Sequence, residues 1–259
     1  MNLVKKILTY IAQIKDKNSN NLNEISKYTL KNLFKNKIDD SEIEKKIDKT
    51  FFLIQDLKGT SLVEALNIVE SIMSIINLEG DICEFGVAQG KTSKLMAYLI
   101  KDTKKRLYLF DSFKGLPKPS KEDVLKDDIF KLGSMKSYEG KMSHNKLKVI
   151  SELQSIKFNL DRVEINEGFF NQNNINTFKI PDIISFAYID FDFYQPTYDV
   201  LITIQKRLIS GSILIVDDYD FFSTGAKTAV DEWHKINNQF FDLKIVKTLN
   251  SSFAIIKKK

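Results

Sequence analysis

A single cysteine, Cys83, excludes an internal disulfide, and its place in a short apolar segment reads as a buried thiol in a chain kept reduced. Four prolines and ten glycines leave no room for a low-complexity linker, and no internal repeat is present. No apolar run approaches the 18 residues a membrane-spanning helix needs. Basic charge is also sparse in pattern: the net +5 is spread along the chain, and the one dense run is Lys257-Lys258-Lys259, which gives no footprint for a nucleic-acid partner. The first residues, MNLVKKILTYIAQIKDK, have Lys5 and Lys6 inside the apolar stretch and no small-residue cleavage site after it. They read as an amphipathic helix rather than a signal peptide, so a cytoplasmic protein without a membrane partner is expected.

What is present is ordinary for a globular enzyme: 43% hydrophobic and 28% charged residues, enough chain for one large α/β domain with a helical appendage. Residues 1–77 read as helical throughout. Leu3, Ile7, Tyr10 and Ile11 repeat at helical spacing, Phe51, Phe52, Ile54 and Leu57 begin a second apolar face, and Leu62 to Ile76 a third. These helices carry more apolar positions than a cap on a sheet needs, so a homodimer is expected.

From Gly80 the texture changes to alternating strands and helices. Strands are expected at 81–85, 106–110, 163–166, 183–189 and 212–216, with helices near 91–101, 147–160, 198–208 and 226–236. Two final strands, 241–246 and 252–256, read as a hairpin, making seven strands in all. Residues 112–145 are polar and weakly periodic, and read as a lid. His144 in that loop reads as surface-facing and His234, on the last long helix, as structural. The expectation is a doubly wound, mostly parallel α/β sheet spanning 78–259, with ligands beyond the carboxyl ends of the strands.

Those ends are Glu84 to Gly90, Asp111-Ser112, Glu167-Gly168, Asp190 to Asp192, and Asp217-Asp218. In the first, Gly86 permits a tight turn and Gly90 opens a helix whose free N–H groups suit an anionic group. Three readings are open. A dinucleotide fingerprint lacks its middle glycine at Val87-Ala88, and a phosphate loop ending Gly90-Lys91-Thr92 lacks one residue of the required spacing. The third is the acid-x-G-x-x-x-G loop of a methyl-donor site. Asp111, at the end of the next strand, suits ribose hydroxyls. Asp190 and Asp192 should share a side of an extended segment. With Asp217 and Asp218 they form four carboxylates on adjacent strands, which repel unless a positive ion lies among them; oxygen donors favour Mg²⁺ or Mn²⁺.

Taken together, Gly80 to Gly90, DSFKGLP at 111–117, Glu167 to Phe170, IDFDFYQPT at 189–197 and Val216-Asp217-Asp218-Tyr219 resemble the macrocin-type (TylF/MycF-type) sugar O-methyltransferases. The resemblance covers roughly residues 78–235 and implies a class I fold, S-adenosylmethionine as cofactor, a divalent metal and a sugar hydroxyl as substrate. It implies Asp190, Asp217 and Asp218 as metal ligands, and Asp192 as general base, with Asp190 also counted as catalytic. It implies cofactor contacts at Glu84, Gly86, Val87, Gly90, Thr92, Asp111, Ser112, Glu167 and Gly168. Two positions depart from the family's pattern: Phe191 where a glycine is common, narrowing that edge of the site, and Pro196 where serine is common. The Lys, Asn and Ile bias suggests an AT-rich bacterial genome and a nucleotide-linked sugar bound for a surface polysaccharide, such as a capsule, with a glycosylated natural product as the other destination. The alternatives are a catechol or phenol methyltransferase with a similar metal site, and a nucleotide-binding protein with a phosphate loop.

Overall fold

The computed structural model describes residues 20–35, 37–248 and 251–259; the helix expected around Leu3 to Ile11 lies outside them. The described chain begins with helices α1 (Asn20–Phe34), α2 (Ile43–Gln55) and α3 (Leu62–Ser74). Ser61 starts α3, its Oγ accepting from the Glu64 N–H at 3.2 Å, one of the amides a helix start leaves unpaired. Strands and helices then alternate through β1 (Asp81–Phe85), α4 (Lys91–Leu99), β2 (Leu107–Asp111), α5 (Lys146–Ser155), β3 (Val163–Glu167) and β4 (Ile184–Ile189). The chain closes with α6 (Tyr194–Ile204), β5 (Leu208–Val216), α7 (Gly225–Asn237), β6 (Phe241–Lys247) and β7 (Ser252–Lys258).

The strands form one seven-stranded sheet in the order β3-β2-β1-β4-β5-β7-β6, parallel except for β7. The final hairpin is as expected, Phe241 facing Lys258 and Lys247 facing Ser252. After β1 the chain builds outward to β3 and then returns to β4 beside β1, so the switch point of the sheet falls between β1 and β4. The Glu84–Gly90 loop and Asp190 leave the sheet at that crevice.

Both faces are covered. One core joins α1 to α5 with the sheet through Leu66, Ile72, Leu95, Leu153 and Ile215; the other sets α6 and α7 on it through Val200, Leu201, Val230 and Trp233. The N-terminal helices therefore share a core with the sheet. Cys83 is fully buried on the second face, and burial holds its thiol pKa well above the ordinary value.

Helices α6 and α5 differ most from their expected bounds. Helix α6 starts at Tyr194 rather than Tyr198: Pro196 sits in its first turn, where a missing N–H leaves nothing unbonded. Helix α5 stops at Ser155 because Lys157 turns left-handed at φ +54°. Among the described residues no helix is long and apolar enough to cross a membrane.

Candidate active site

One cavity of about 660 Å³ opens at the switch point. It is lined from every element the sequence singled out: Glu84, Gly86, Val87 and Thr92 around the β1–α4 turn, Asp111 and Ser112 after β2, and Gly168 after β3. Asp190, Phe191 and Asp192 after β4, with Asp217 and Asp218 after β5, complete the far wall.

Gly86 has φ +89°, and a Cβ there would lie 1.8 Å from the Asp190 carbonyl oxygen. That backbone contact between the ends of β1 and β4 is why the turn requires glycine. Gly90, expected among the cofactor contacts, caps α4 at φ +76° and packs on Val149, and does not itself line the cavity. Glu84 is 1% exposed; burial raises its pKa well above the carboxylate range, and Ser93 Oγ donates to it. Asp111 closes the loop from the other side: its Oδ2 accepts from the Val87 and Ala88 N–H groups at 2.7 and 2.9 Å, its Oδ1 from Phe113 N–H at 2.7 Å. A carboxylate offers about four acceptor positions, so capacity remains for ligand hydroxyls. Ser112 lines the cavity while its Oγ donates to the Gly115 carbonyl at 2.9 Å.

Glu167 departs from the expected cofactor contacts. It ends the edge strand β3, is the one exposed residue of that strand, pairs with Lys146 and does not line the cavity.

The acidic wall is the unusual feature. Carboxylate oxygens of Asp190, Asp192 and Asp218 all lie within 4.8 Å of one another. Burial, then the charges of Asp217 and Asp218, holds Asp190 well above the ordinary carboxylate pKa. Burial and Asp190 do the same for Asp192, and burial with Asp217 for Asp218. Such a group needs protons or a cation, and three oxygen donors without nitrogen or sulfur fit a hard divalent ion. Asp217, expected among the ligands, lines the cavity but falls outside that grouping. Its Oδ2 accepts from the Tyr188 hydroxyl at 2.8 Å, and that hydroxyl also lies 3.1 Å from Glu64 Oε1. The Asp190–Asp192 pairing does not arise from strand alternation either: β4 ends at Ile189, and Asp192 sits at φ +61°. Asp218 is left-handed too, at φ +50°. Backbone of this kind costs about 1–3 kcal/mol and persists only when its surroundings hold it.

The sequence reading missed three contributors. Glu64 of α3, 1% exposed, stands behind Asp217, and burial with the Asp217 charge drives its pKa well up. Its signal was an acid inside the apolar run Leu62 to Leu66. Lys58, Gly59 and Thr60 bring the N-terminal region to the cavity wall. Ile129, Phe130, Phe221 and Phe222 supply an apolar wall; Phe191, expected to narrow this edge of the site, lines it with its ring packed against Phe85, as is that of Phe170. His144 was expected to face solvent but lines the cavity; His234 is structural as expected, its Nε2 3.1 Å from the Phe241 carbonyl.

The segment 112–145, expected to act as a lid, contributes to a small core of its own. Tyr138, completely buried, stacks on Phe222 at 5.3 Å and donates to Asp128 Oδ1 at 2.9 Å. It therefore supports the lid from within rather than reaching the cavity.

The profile of the macrocin-O-methyltransferase (TylF) family matches residues 2–251. The chain is 27% identical over 172 residues to a demethyldecarbamoylnovobiocin O-methyltransferase of Streptomyces niveus, a stretch covering 64% of this chain and 63% of that relative. It is 26% identical over 165 residues to an 8-demethyl-8-(2,3-dimethoxy-alpha-L-rhamnosyl)-tetracenomycin-C 4'-O-methyltransferase of Streptomyces olivaceus, covering 58% of this chain and 57% of that one. The chain thus aligns with less than two thirds of the length of either relative. Among solved structures, the O-methyltransferase NovP superposes with a TM-score of 0.63 at 19% identity, covering 92% of this chain and 98% of that one. The calicheamicin methyltransferase CalS11 superposes with a TM-score of 0.58 at 21% identity, covering 94% of each chain. Seven strands in this order, helices on both faces and a profile match over nearly the whole length agree: the chain belongs to the macrocin-O-methyltransferase (TylF) family, with the class I methyltransferase fold.

Proposed function

We propose that the protein is an S-adenosylmethionine-dependent, divalent-metal-dependent O-methyltransferase acting on a sugar hydroxyl. The observation that carries this reading is the joining, in one cavity, of a glycine turn backed by Asp111 and a cluster of three carboxylates within 4.8 Å. Gly86, Val87, Thr92, Asp111, Ser112 and Gly168 form the cofactor side, with Gly90 capping the helix behind the turn and Glu84 shaping the turn from beneath. Asp190 and Asp218 hold the cation, and Asp192 accepts the proton of the acceptor hydroxyl. Bound there, the cation supplies Lewis acidity toward that hydroxyl, and the cofactor supplies an electrophilic methyl group. The chain contributes position: a fixed turn, a fixed carboxylate and an apolar wall that keeps water from competing.

The third metal-side carboxylate has two candidates. The family pattern favours Asp217, whereas the 4.8 Å grouping favours Asp192. Asn substitutions separate them. Asp190→Asn should weaken apparent Mg²⁺ affinity and be partly rescued by excess metal. Asp192→Asn should lower kcat about 10²–10⁴-fold without metal rescue if it is the base. Metal rescue of Asp192→Asn would make it a ligand and Asp217 the supporting group. Full wild-type activity in EDTA would refute metal dependence altogether.

For the acceptor, both relatives are named as O-methyltransferases, and the name of one carries a dimethoxy-rhamnosyl group. We propose a sugar carried on a nucleotide or an aglycone, with a nucleotide-linked sugar for a surface polysaccharide as the first to assay. Methylation of a catechol but of no sugar would overturn this in favour of the phenol-type reading.

A further inference from the structure

Helix α6 begins two residues after Asp192, and its first residues have no capping side chain of their own. The N–H of Tyr194 is nonetheless satisfied: it donates at 2.7 Å to Oδ1 of Asp123, a lid residue 71 positions earlier. The other oxygen of Asp123 accepts from the N–H and Oγ of Ser120 at 2.7 and 2.8 Å, and the residue is 5% exposed. A negative group at that helix end is favourable, and its amides would otherwise lack a partner.

A second observation points to the same atom. Gly225, at the start of α7, is not in the left-handed region, so no conformational demand calls for glycine. A Cβ there would lie 2.0 Å from Asp123 Oδ1 and 2.5 Å from Tyr194 N. The glycine leaves the space through which the lid carboxylate reaches the helix. Around it the lid is stitched to the loop that follows Asp218. Leu125 bridges Ser223, Lys126 N–H donates to the Phe222 carbonyl at 2.8 Å, and Thr224 N–H donates to the Val124 carbonyl at 3.1 Å.

Three segments therefore meet at one carboxylate: the lid, the loop after Asp217-Asp218, and the turn carrying Asp190 to Asp192. We propose that Asp123 is a positioning residue that clamps the lid to the start of α6 and so holds Asp192, with its left-handed backbone, in place for proton transfer. The proposal rests on the reading of Asp192 as the proton acceptor. Lid order and carboxylate geometry are then one cooperative unit, and Gly225 is part of the clamp.

The test compares Asp123→Ala, Asp123→Asn and Gly225→Ala with wild type by amide hydrogen exchange, S-adenosylhomocysteine titration and steady-state kinetics. In Asp123→Ala, exchange at Tyr194 and Lys126 should rise about tenfold or more, as expected for losing a hydrogen bond to a charged group. Its kcat should fall roughly 10–100-fold, the scale of a small misplacement of a reacting group. Cofactor affinity should stay within about threefold, since Asp123 does not line the cavity. Asp123→Asn keeps an acceptor for Tyr194 and should recover most of kcat. Gly225→Ala, which wedges the clamp from the other side, should repeat the Asp123→Ala pattern, and it carries the test if Asp123→Ala does not fold. Unchanged kcat with faster lid exchange would overturn the proposal, and so would equal losses of kcat and cofactor affinity that asparagine does not repair. Exchange and titration need neither metal nor acceptor. A wild type inactive on every sugar would refute the proposed reaction, and unchanged exchange at residues 190–194 in Asp123→Ala would refute the clamp.

Discussion

Removing a carboxylate from the acidic wall should make the metal-free protein more stable. With oxygens of Asp190, Asp192 and Asp218 within 4.8 Å, each ionised pair repels by about 3.5 kcal/mol at an effective dielectric near 20. Asp218→Asn deletes two of the three pairs, a ceiling of about 7 kcal/mol. Solvent entering the cavity and partial protonation reduce this to about 1–3 kcal/mol. Asparagine tolerates the φ +50° backbone at 218, so no new strain offsets the gain. The sign with pH follows from the raised pKa values. Carboxyls held above their unfolded values contribute stability below the ordinary carboxylate range and lose it as pH rises through the folded values. The advantage of Asp218→Asn should therefore be small at pH 5 and large at pH 8. For a chain of this size it corresponds to a Tm increase of roughly 2–12 °C in EDTA. Saturating Mg²⁺ at pH 8 should reverse the order, because wild type gains binding free energy that the variant lacks. Thermal melts at the two pH values, with chelator and with Mg²⁺, make the comparison. An Asp218→Asn protein no more stable than wild type in EDTA at pH 8, or one stabilised equally by Mg²⁺, would refute the reasoning.

Gly86→Ala should destabilise the fold by about 2–5 kcal/mol, combining a left-handed alanine with a Cβ 1.8 Å from the Asp190 carbonyl, and should lower metal affinity as β1 and β4 part. Denaturant unfolding and Mg²⁺ titration check both effects. S-adenosylhomocysteine should raise Tm where ATP and NAD do not. Asp111→Ala should weaken its binding by about 1–3 kcal/mol or more, since the side chain also holds the Val87 and Ala88 amides; calorimetry reads it directly. Burial pushes Glu152 upward, but hydrogen bonds from Lys94, Lys91 and Lys148 outweigh it and bring the carboxyl to about 2. Glu152→Gln should cost about 1–3 kcal/mol at pH 7, a difference that shrinks as pH falls from about 4 toward 2 in pH-dependent melts. Tyr28 and Phe52, half-exposed on α1 and α2, fit the expected homodimer, and light scattering that gives the mass of one chain would refute it.

Local chemistry was enough to read the order of strands and helices from Gly80 onward, because apolar runs bounded by glycine and acid report burial on both faces of a sheet. It also marked the strand ends, since an acid directly after a buried run has no structural reason to be there. Asp190, Asp192, Asp217 and Asp218 could be named as a cluster on that ground alone. Their individual geometry could not. Asp217 and Asp218 are neighbours in sequence and both line the cavity, yet Asp217 accepts from Tyr188 beside Glu64 while Asp218 joins the grouping with Asp190 and Asp192. The lid looked structureless because its partners are distant. Leu116 and Tyr138 find Phe193 and Phe222 only when the sheet brings the loops together, and Asp123 finds Tyr194 across 71 residues. Glu167 failed the other way, because nothing in its own segment tells an edge strand from a central one. Patterns of period 2 and 3.6 report each residue's own burial. Which buried acid meets which, and where a glycine is needed only for the space it leaves, is decided by contacts that exist only in the folded chain.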